Sequence, residues 1–203
     1  MSLTLLDWRR TVAALYRDVR ATADADPRGT LDRFRAAKDD LFAEHPDTPI
    51  RPEDGAGFEG LHYWPYDAAL RFDVAVEPAP PTGAHPVQAI SLTGDAFALE
   101  QIGRIALPVG SLDVFWIAVY GGGVFVPFRD LTNGTDTYGA GRYLLDTVKG
   151  ADLGGSDGRL IVDFNYAYHP SCAYDPKWSC PLAPPANRLD VPIRAGERLT
   201  APR

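Results

Sequence analysis

Side chains able to do chemistry concentrate in the last third of this chain. The stretch PFRDLTNGTDTYGAGRYLLD, from Pro127 to Asp146, brings Arg129, Asp130, Thr135, Asp136, Tyr138, Arg142 and Tyr143 close together in sequence. Asn133-Gly134 is a strong turn signal, and a bend there lets these groups face a common space. Two guanidiniums beside two carboxylates have two uses. They can tie a loop to its sheet as an internal Arg–Asp network, with tyrosine hydroxyls satisfying leftover groups. Alternatively, one guanidinium stays free to hold a carboxylate or phosphate through two parallel hydrogen bonds. The internal network is the simpler of the two. Gly139 and Gly141 match neither the dinucleotide fingerprint nor the phosphate-loop pattern, so no nucleotide cofactor is expected.

A second cluster lies in DFNYAYHPSCAYDPKWSCPLAPPANRL, from Asp163 to Leu189. Strand alternation puts Asp163 and Asn165 on one face. His169 precedes Pro170, which biases it to an extended backbone. Asp163 and His169 are the candidates for moving a proton, since a histidine beside a carboxylate can act as general base. Without a nucleophile in view, His169 hydrogen bonding to backbone is the simpler reading. Arg129 or Arg142 would orient an anionic group, and Asp130, Tyr138, Tyr143, Asn165, Tyr168 and Tyr174 would line the pocket. Trp64, Tyr66 or Trp178 would stand at its rim. Cys172 and Cys180 enclose AYDPKWS, a spacing that fits no zinc knuckle. The default for them is two packed or pocket-lining thiols, with a redox-sensitive bridge as the alternative. A metal centre assembled from His169, Cys172, Cys180 and a distant His62 or His85 has little sequence support.

These clusters need a scaffold, and the periodicity describes one. Leu5, Trp8, Val12, Leu15 and Val19 form one apolar stripe on an amphipathic helix. ADADPRG breaks it, and Thr30 is the expected N-cap of a second helix with Leu31, Phe34, Leu41 and Phe42 on its buried side. Trp8, at helical spacing with aliphatic partners, reads as core. From Phe58 onward the pattern is β. FEGLHYW and ALRFDVAVE flank a turn at Pro65-Tyr66-Asp67, and QAISLTG joins FALEQIGRIALPV around Gly94-Asp95 as a hairpin. Both alternating sets of LDVFWIAVY are apolar, so that strand is expected to be covered on both faces. Gly121-Gly122-Gly123 turns into VFVPF, GRYLLDTV is expected to pair with GRLIVDFN, and VPI supplies a last edge strand. The resulting expectation is an α+β, mostly β domain over residues 1–203. A helical hairpin over 1–46 would cover an antiparallel sandwich or partly open barrel over 57–203.

Composition excludes several function classes. A formal charge of −7 and a pI near 5.0 disfavour nucleic acid or an anionic membrane as partner. The opening MSLTLLDWRRTVAAL resembles neither a signal peptide nor a membrane span, and two cysteines fit a cytoplasmic protein.

Three segments, RFRAAKDDLFAEHPDTPI, FRDLTNGTDTYGAGRYL and DFNYAYHPSCAYDPKWSCPLAPPANRLDVPIRAGE, resemble the bacterial and archaeal family known as domain of unknown function 1684. The resemblance runs from the first helix to Glu197. It directs attention to Arg129, Asp130, Thr135, Tyr138, Gly141, Arg142, Tyr143, Asp163, Asn165, Cys172, Tyr174, Cys180 and Asn187. It also implies asparagine where this chain has His169, which weakens a general-base role there. It specifies no activity and no cofactor. The functional expectation is therefore a small polar or anionic metabolite, bound or transformed at the C-terminal loops. A non-catalytic structural or interaction protein, such as a homodimer, is the alternative, and a metal or redox site at the two cysteines a weaker one.

Overall fold

The fold is described from a computed structural model, over residues 3–79, 87–91 and 93–199. Helices α1 (Leu3–Thr22) and α2 (Pro27–Glu44) form the expected hairpin. The second helix starts earlier than its sequence suggested. Asp26, not Thr30, is the N-cap, with its carboxylate accepting the Gly29 amide at 3.0 Å and Pro27 opening the helix. Thr30 is a buried first-turn residue whose hydroxyl shares a hydrogen bond with Thr22 of α1. Tyr16 and Val19 of α1 and Leu31, Phe34, Leu41 and Phe42 of α2 are buried. At about 1.5–3 kcal/mol for each fully buried large apolar side chain, this seam holds the hairpin on the sheets. Tyr16 meets Phe34 edge-on at 5.1 Å, and Phe34 in turn meets Tyr166 at 5.0 Å.

A four-residue helix, α3 (Pro52–Gly55), leads into the β region. The largest sheet holds β3 (Glu77–Pro78), β4 (Val87–Ile90), β5 (Ala96–Leu107), β6 (Gly110–Ile117), β7 (Gly123–Phe128) and β8 (Arg142–Asp146), all antiparallel. Two further antiparallel pairs stand apart: β1 (His62–Tyr63) with β10 (Glu197–Arg198), and β2 (Arg71–Ala75) with β9 (Arg159–Asp163). The architecture is α+β and mostly β, and these sheets do not close.

The β4–β5 hairpin forms around Gly94 as expected, with Gly94 at φ +86. Four strand expectations are corrected. β8 does not pair with β9, because a 3-10 turn over Thr147–Lys149 and a bridge from Asp146 to Ala151 lead the chain away, and β9 takes β2 instead. In FEGLHYW only His62–Tyr63 is strand. VPI adds no strand, and the last one is Glu197–Arg198. β6 is covered on both faces only over Leu112–Phe115, since Trp116 is 39% exposed at its far end. Among the described residues no helix is long and apolar enough to cross a membrane.

Candidate functional site

Helix α2 buries one charged residue on its apolar face. Lys38, four positions after Phe34, is 8% exposed, and its ammonium bonds the Glu197 carboxylate, which β10 holds at 1% exposure. The same ammonium lies 4.8 Å from the Tyr168 ring centre and 5.4 Å from that of Phe42. The second oxygen of Glu197 accepts the His169 amide at 2.7 Å and the Tyr174 hydroxyl at 2.8 Å. Burial alone would raise the Glu197 carboxyl, but Lys38, His169 and these hydrogen bonds outweigh it and hold it below the usual carboxylate range.

His169 completes the cluster. Its Nε2 accepts the Tyr138 amide N–H at 3.3 Å, and its Nδ1 stands 3.6 Å from Glu197. A backbone amide can only donate, so Nε2 carries the lone pair and Nδ1 the proton. Burial lowers the imidazole to about 4, with Arg142 and Lys38 adding to the effect against Glu197. His169 is thus a neutral linker between Tyr138 and Glu197. An asparagine would offer the same pair of functions, one acceptor and one donor.

Above the cluster, between the hairpin and the loop His169–Tyr174, lies a cavity of about 80 Å³. Trp8, Tyr16, Phe34 and Phe42 form its helical walls, Tyr143 and Tyr168 its sheet side, and Lys149 also borders it. Of the sequence candidates, Tyr143, Tyr168, His169 and Tyr174 converge here. Tyr143 is anchored by donating its hydroxyl to the Pro181 carbonyl at 2.6 Å.

Other candidates lie elsewhere. Arg142 is fully buried between the rings of Trp64 and Phe128. It donates to the carbonyls of Ala195, Glu197 and Ile193 and to the Asp130 carboxylate at 2.9 Å. Asp130 also accepts the amides of Thr132 and Ile193. This Arg142–Asp130 pair is the internal network, not a ligand clamp, and it takes Trp64 from the expected rim into the interior. Arg129 donates to Gly139 at 2.9 Å, closing the same loop. Asn165 holds Asp67 through both its amide groups and donates to Asp163. Burial raises the Asp163 carboxyl against the opposing Asn165 hydrogen bonds and Arg71.

Cys172 and Cys180 are both buried and unbridged. The Tyr138 hydroxyl donates to the Cys172 sulfur at 3.7 Å, and the proximity of the two thiols raises Cys172 and lowers Cys180. Among the described residues no three His, Cys, Asp or Glu side chains are grouped as metal ligands, and His85 lies outside those residues. His62 is exposed on an open groove that His169, Tyr174 and Glu197 also line.

The family model described as "Protein of unknown function (DUF1684)" matches residues 56–198. The chain belongs to this family. The match begins after the helical hairpin, so the shared domain of DUF1684 is the β region with its C-terminal loops, a narrower span than the segment resemblance implied. An uncharacterised protein of Haloarcula marismortui, solved by solution NMR, is similar at 34% identity and a TM-score of 0.58. That similarity covers 86% of this chain and 95% of the other. No curated protein matches. Within the DUF1684 span lie Tyr143, Tyr168, His169, Tyr174 and Glu197, while Lys38 comes from the hairpin outside it.

Sequence reasoning missed Lys38 and Glu197. Lys38 had a signal, a lysine in register with Phe34, Leu41 and Phe42 on the buried stripe of α2. Glu197 had none, since a glutamate in AGERL near the chain's end resembles any surface carboxylate.

Proposed function

We propose that this protein binds a small, largely apolar molecule carrying one hydrogen-bond acceptor, in the aromatic cavity above Lys38. The observation that carries this reading is the Lys38 ammonium beneath an aromatic-walled space, with one oxygen partner among the described residues, Glu197, for its three donors. A ligand acceptor can take a second donor, while Trp8, Phe34 and Phe42 pack its apolar body. The volume of about 80 Å³ is roughly half the ~150 Å³ that holds a benzene, so a body of a few carbons fits.

Binding is favoured over catalysis because the acid–base groups are already engaged. Glu197 is ionised with both oxygens taken, and the His169 lone pair receives the Tyr138 amide. Two neighbouring unbridged thiols support a reducing, cytoplasmic setting.

The test is an amide chemical-shift titration with propionate, butyrate, valerate and hexanoate and the corresponding methyl ketones. Shifts at Lys38, Tyr168 and His169 that saturate, and that vanish in Phe34→Trp, which fills the cavity, are expected. Absence of saturable shifts at these amides with every probe would overturn the reading.

A further inference from the structure

A second cleft, of about 330 Å³, opens where the end of α1 meets β2, β9 and the loop after β8. It shares no lining residue with the aromatic cavity, and the Phe34–Tyr166 ring contact lies between them. Its lining is mixed, with Val19, Leu153 and Ile161 beside several polar groups. Arg20 and Arg71 contribute guanidiniums, Asp163 a buried carboxylate and Tyr166 a phenol.

Two features of this lining are incomplete. The Tyr166 hydroxyl is buried, on a side chain 4% exposed, and has no hydrogen-bond partner among the described residues. Buried hydroxyls are nearly always partnered, so an orphan bordering a roomy cleft marks where a partner belongs. The second feature is the Arg71–Asp163 pair. Its Nε···Oδ2 separation of 3.8 Å is an ion-pair distance too long for a direct hydrogen bond, although Asp163 is 2% exposed. The other Asp163 oxygen is taken by the Asn165 amide and side chain at 2.9 and 2.8 Å. Arg71 also bonds Asp24 at 2.5 Å, but that aspartate side chain is 86% exposed and can be displaced by another anion. Arg20 reaches the Asp152 carbonyl at 2.5 Å from the facing side.

The remaining wall is backbone. Gly155 has φ +147, and a Cβ there would lie 2.1 Å from the Arg159 carbonyl oxygen, so only glycine fits. Gly154 leaves Arg20 its place, since a Cβ would come within 3.1 Å of the arginine Cδ.

We infer that this cleft is a binding site for a small hydroxy acid. The ligand carboxylate replaces Asp24 on Arg71 and reaches towards Arg20. The adjacent ligand hydroxyl accepts from Tyr166 and donates to the free oxygen of Asp163. A hydroxyl is needed because one atom must accept and donate at once, which a second carboxylate or a methylene cannot do. The cleft volume lies in the range of ordinary small-molecule sites, which run from about 300 to 1,000 Å³. The inference stands apart from the aromatic cavity and does not need it to be occupied.

The experiment is calorimetric titration of the full chain with malate against succinate and lactate against propionate, followed by Tyr166→Phe. Each hydroxy acid is expected to bind at least about tenfold more tightly than its deoxy partner. Tyr166→Phe should weaken malate while leaving succinate unchanged and the urea midpoint at or above the wild-type value, because it removes a donor without a partner in the unliganded protein. Equal affinities for malate and succinate, no heat from any of the four acids, or a lower urea midpoint for Tyr166→Phe would each overturn the inference. The last would show that the hydroxyl already has a partner inside the protein.

Discussion

Replacing His169 by asparagine separates the two roles a buried histidine can have. Burial lowers the folded-state imidazole from its ordinary 6.5 to about 4. A depressed histidine binds its proton in the unfolded chain first, so its contribution is complete above pH 6.5 and is lost as pH falls through the folded value. The limiting loss is about 3.4 kcal/mol, at 1.36 kcal/mol for each pH unit between the two values. Integrated between pH 7 and about pH 4.5, the linkage relation gives about 2.4 kcal/mol. Asparagine does not titrate, yet it can accept from the Tyr138 amide as the imidazole does and turn its N–H towards Glu197, which lies 3.6 Å from Nδ1. His169→Asn should therefore keep stability within about 1 kcal/mol of wild type at pH 7. Its loss between the two pH values should be smaller by about 2.4 kcal/mol. Urea unfolding followed by tryptophan fluorescence at both pH values measures both quantities. Equal losses in the two proteins would refute the neutral, buried assignment. A variant weaker by several kcal/mol at pH 7 would refute the donor–acceptor equivalence.

Three further outcomes follow from the same networks. Arg142→Met should cost about 3–5 kcal/mol in urea unfolding, because Asp130 and three carbonyls lose their donor inside the protein, and Arg142→Lys should recover little, since an ammonium cannot fork to all four. Lys38→Met should cost a similar amount at pH 7 by leaving Glu197 charged and unpaired. That deficit should shrink as pH falls through the carboxylate range, where Glu197 takes up a proton, and Lys38→Met combined with Glu197→Gln should restore much of it. Diamide, which takes up both thiol hydrogens, should lower the denatured mass by two hydrogens through a Cys172–Cys180 bridge. Cys180→Ser should abolish that change, and an unaltered mass in the wild type would show that the two sulfurs cannot meet.

Much of the fold follows from local pattern. The stripe through Trp8, Val12 and Val19 is a helix wherever it is placed, and Gly94 and Asn133-Gly134 turn the chain because their backbone chemistry demands it. The type of each main strand was legible for the same reason. Strand partners were not. The apolar run Leu160–Val162 of β9 suits β8 and β2 equally, and only the turn after Asp146 sends β9 to β2. The N-cap of α2 was misread because Asp26 and Thr30 carry the same local signal, and the Pro27 that favours Asp26 also reads as a breaker.

The candidate sites divide along the same line. Sequence alone determined that arginines, tyrosines, carboxylates and thiols would crowd the C-terminal loops, because residue type and spacing are written there directly. It could not say which of them face inward to protein and which face open space. Arg142 and Arg71 are both arginines beside an aspartate, yet one has four acceptors inside the protein and the other ends at an exposed, displaceable partner. Lys38 and Glu197 stand 159 residues apart, and nothing local to either one signals the other. Their pairing was decided by the tertiary structure, since neither charge can be buried alone and each is tolerated only where packing of α2 on β10 delivers its counter-charge.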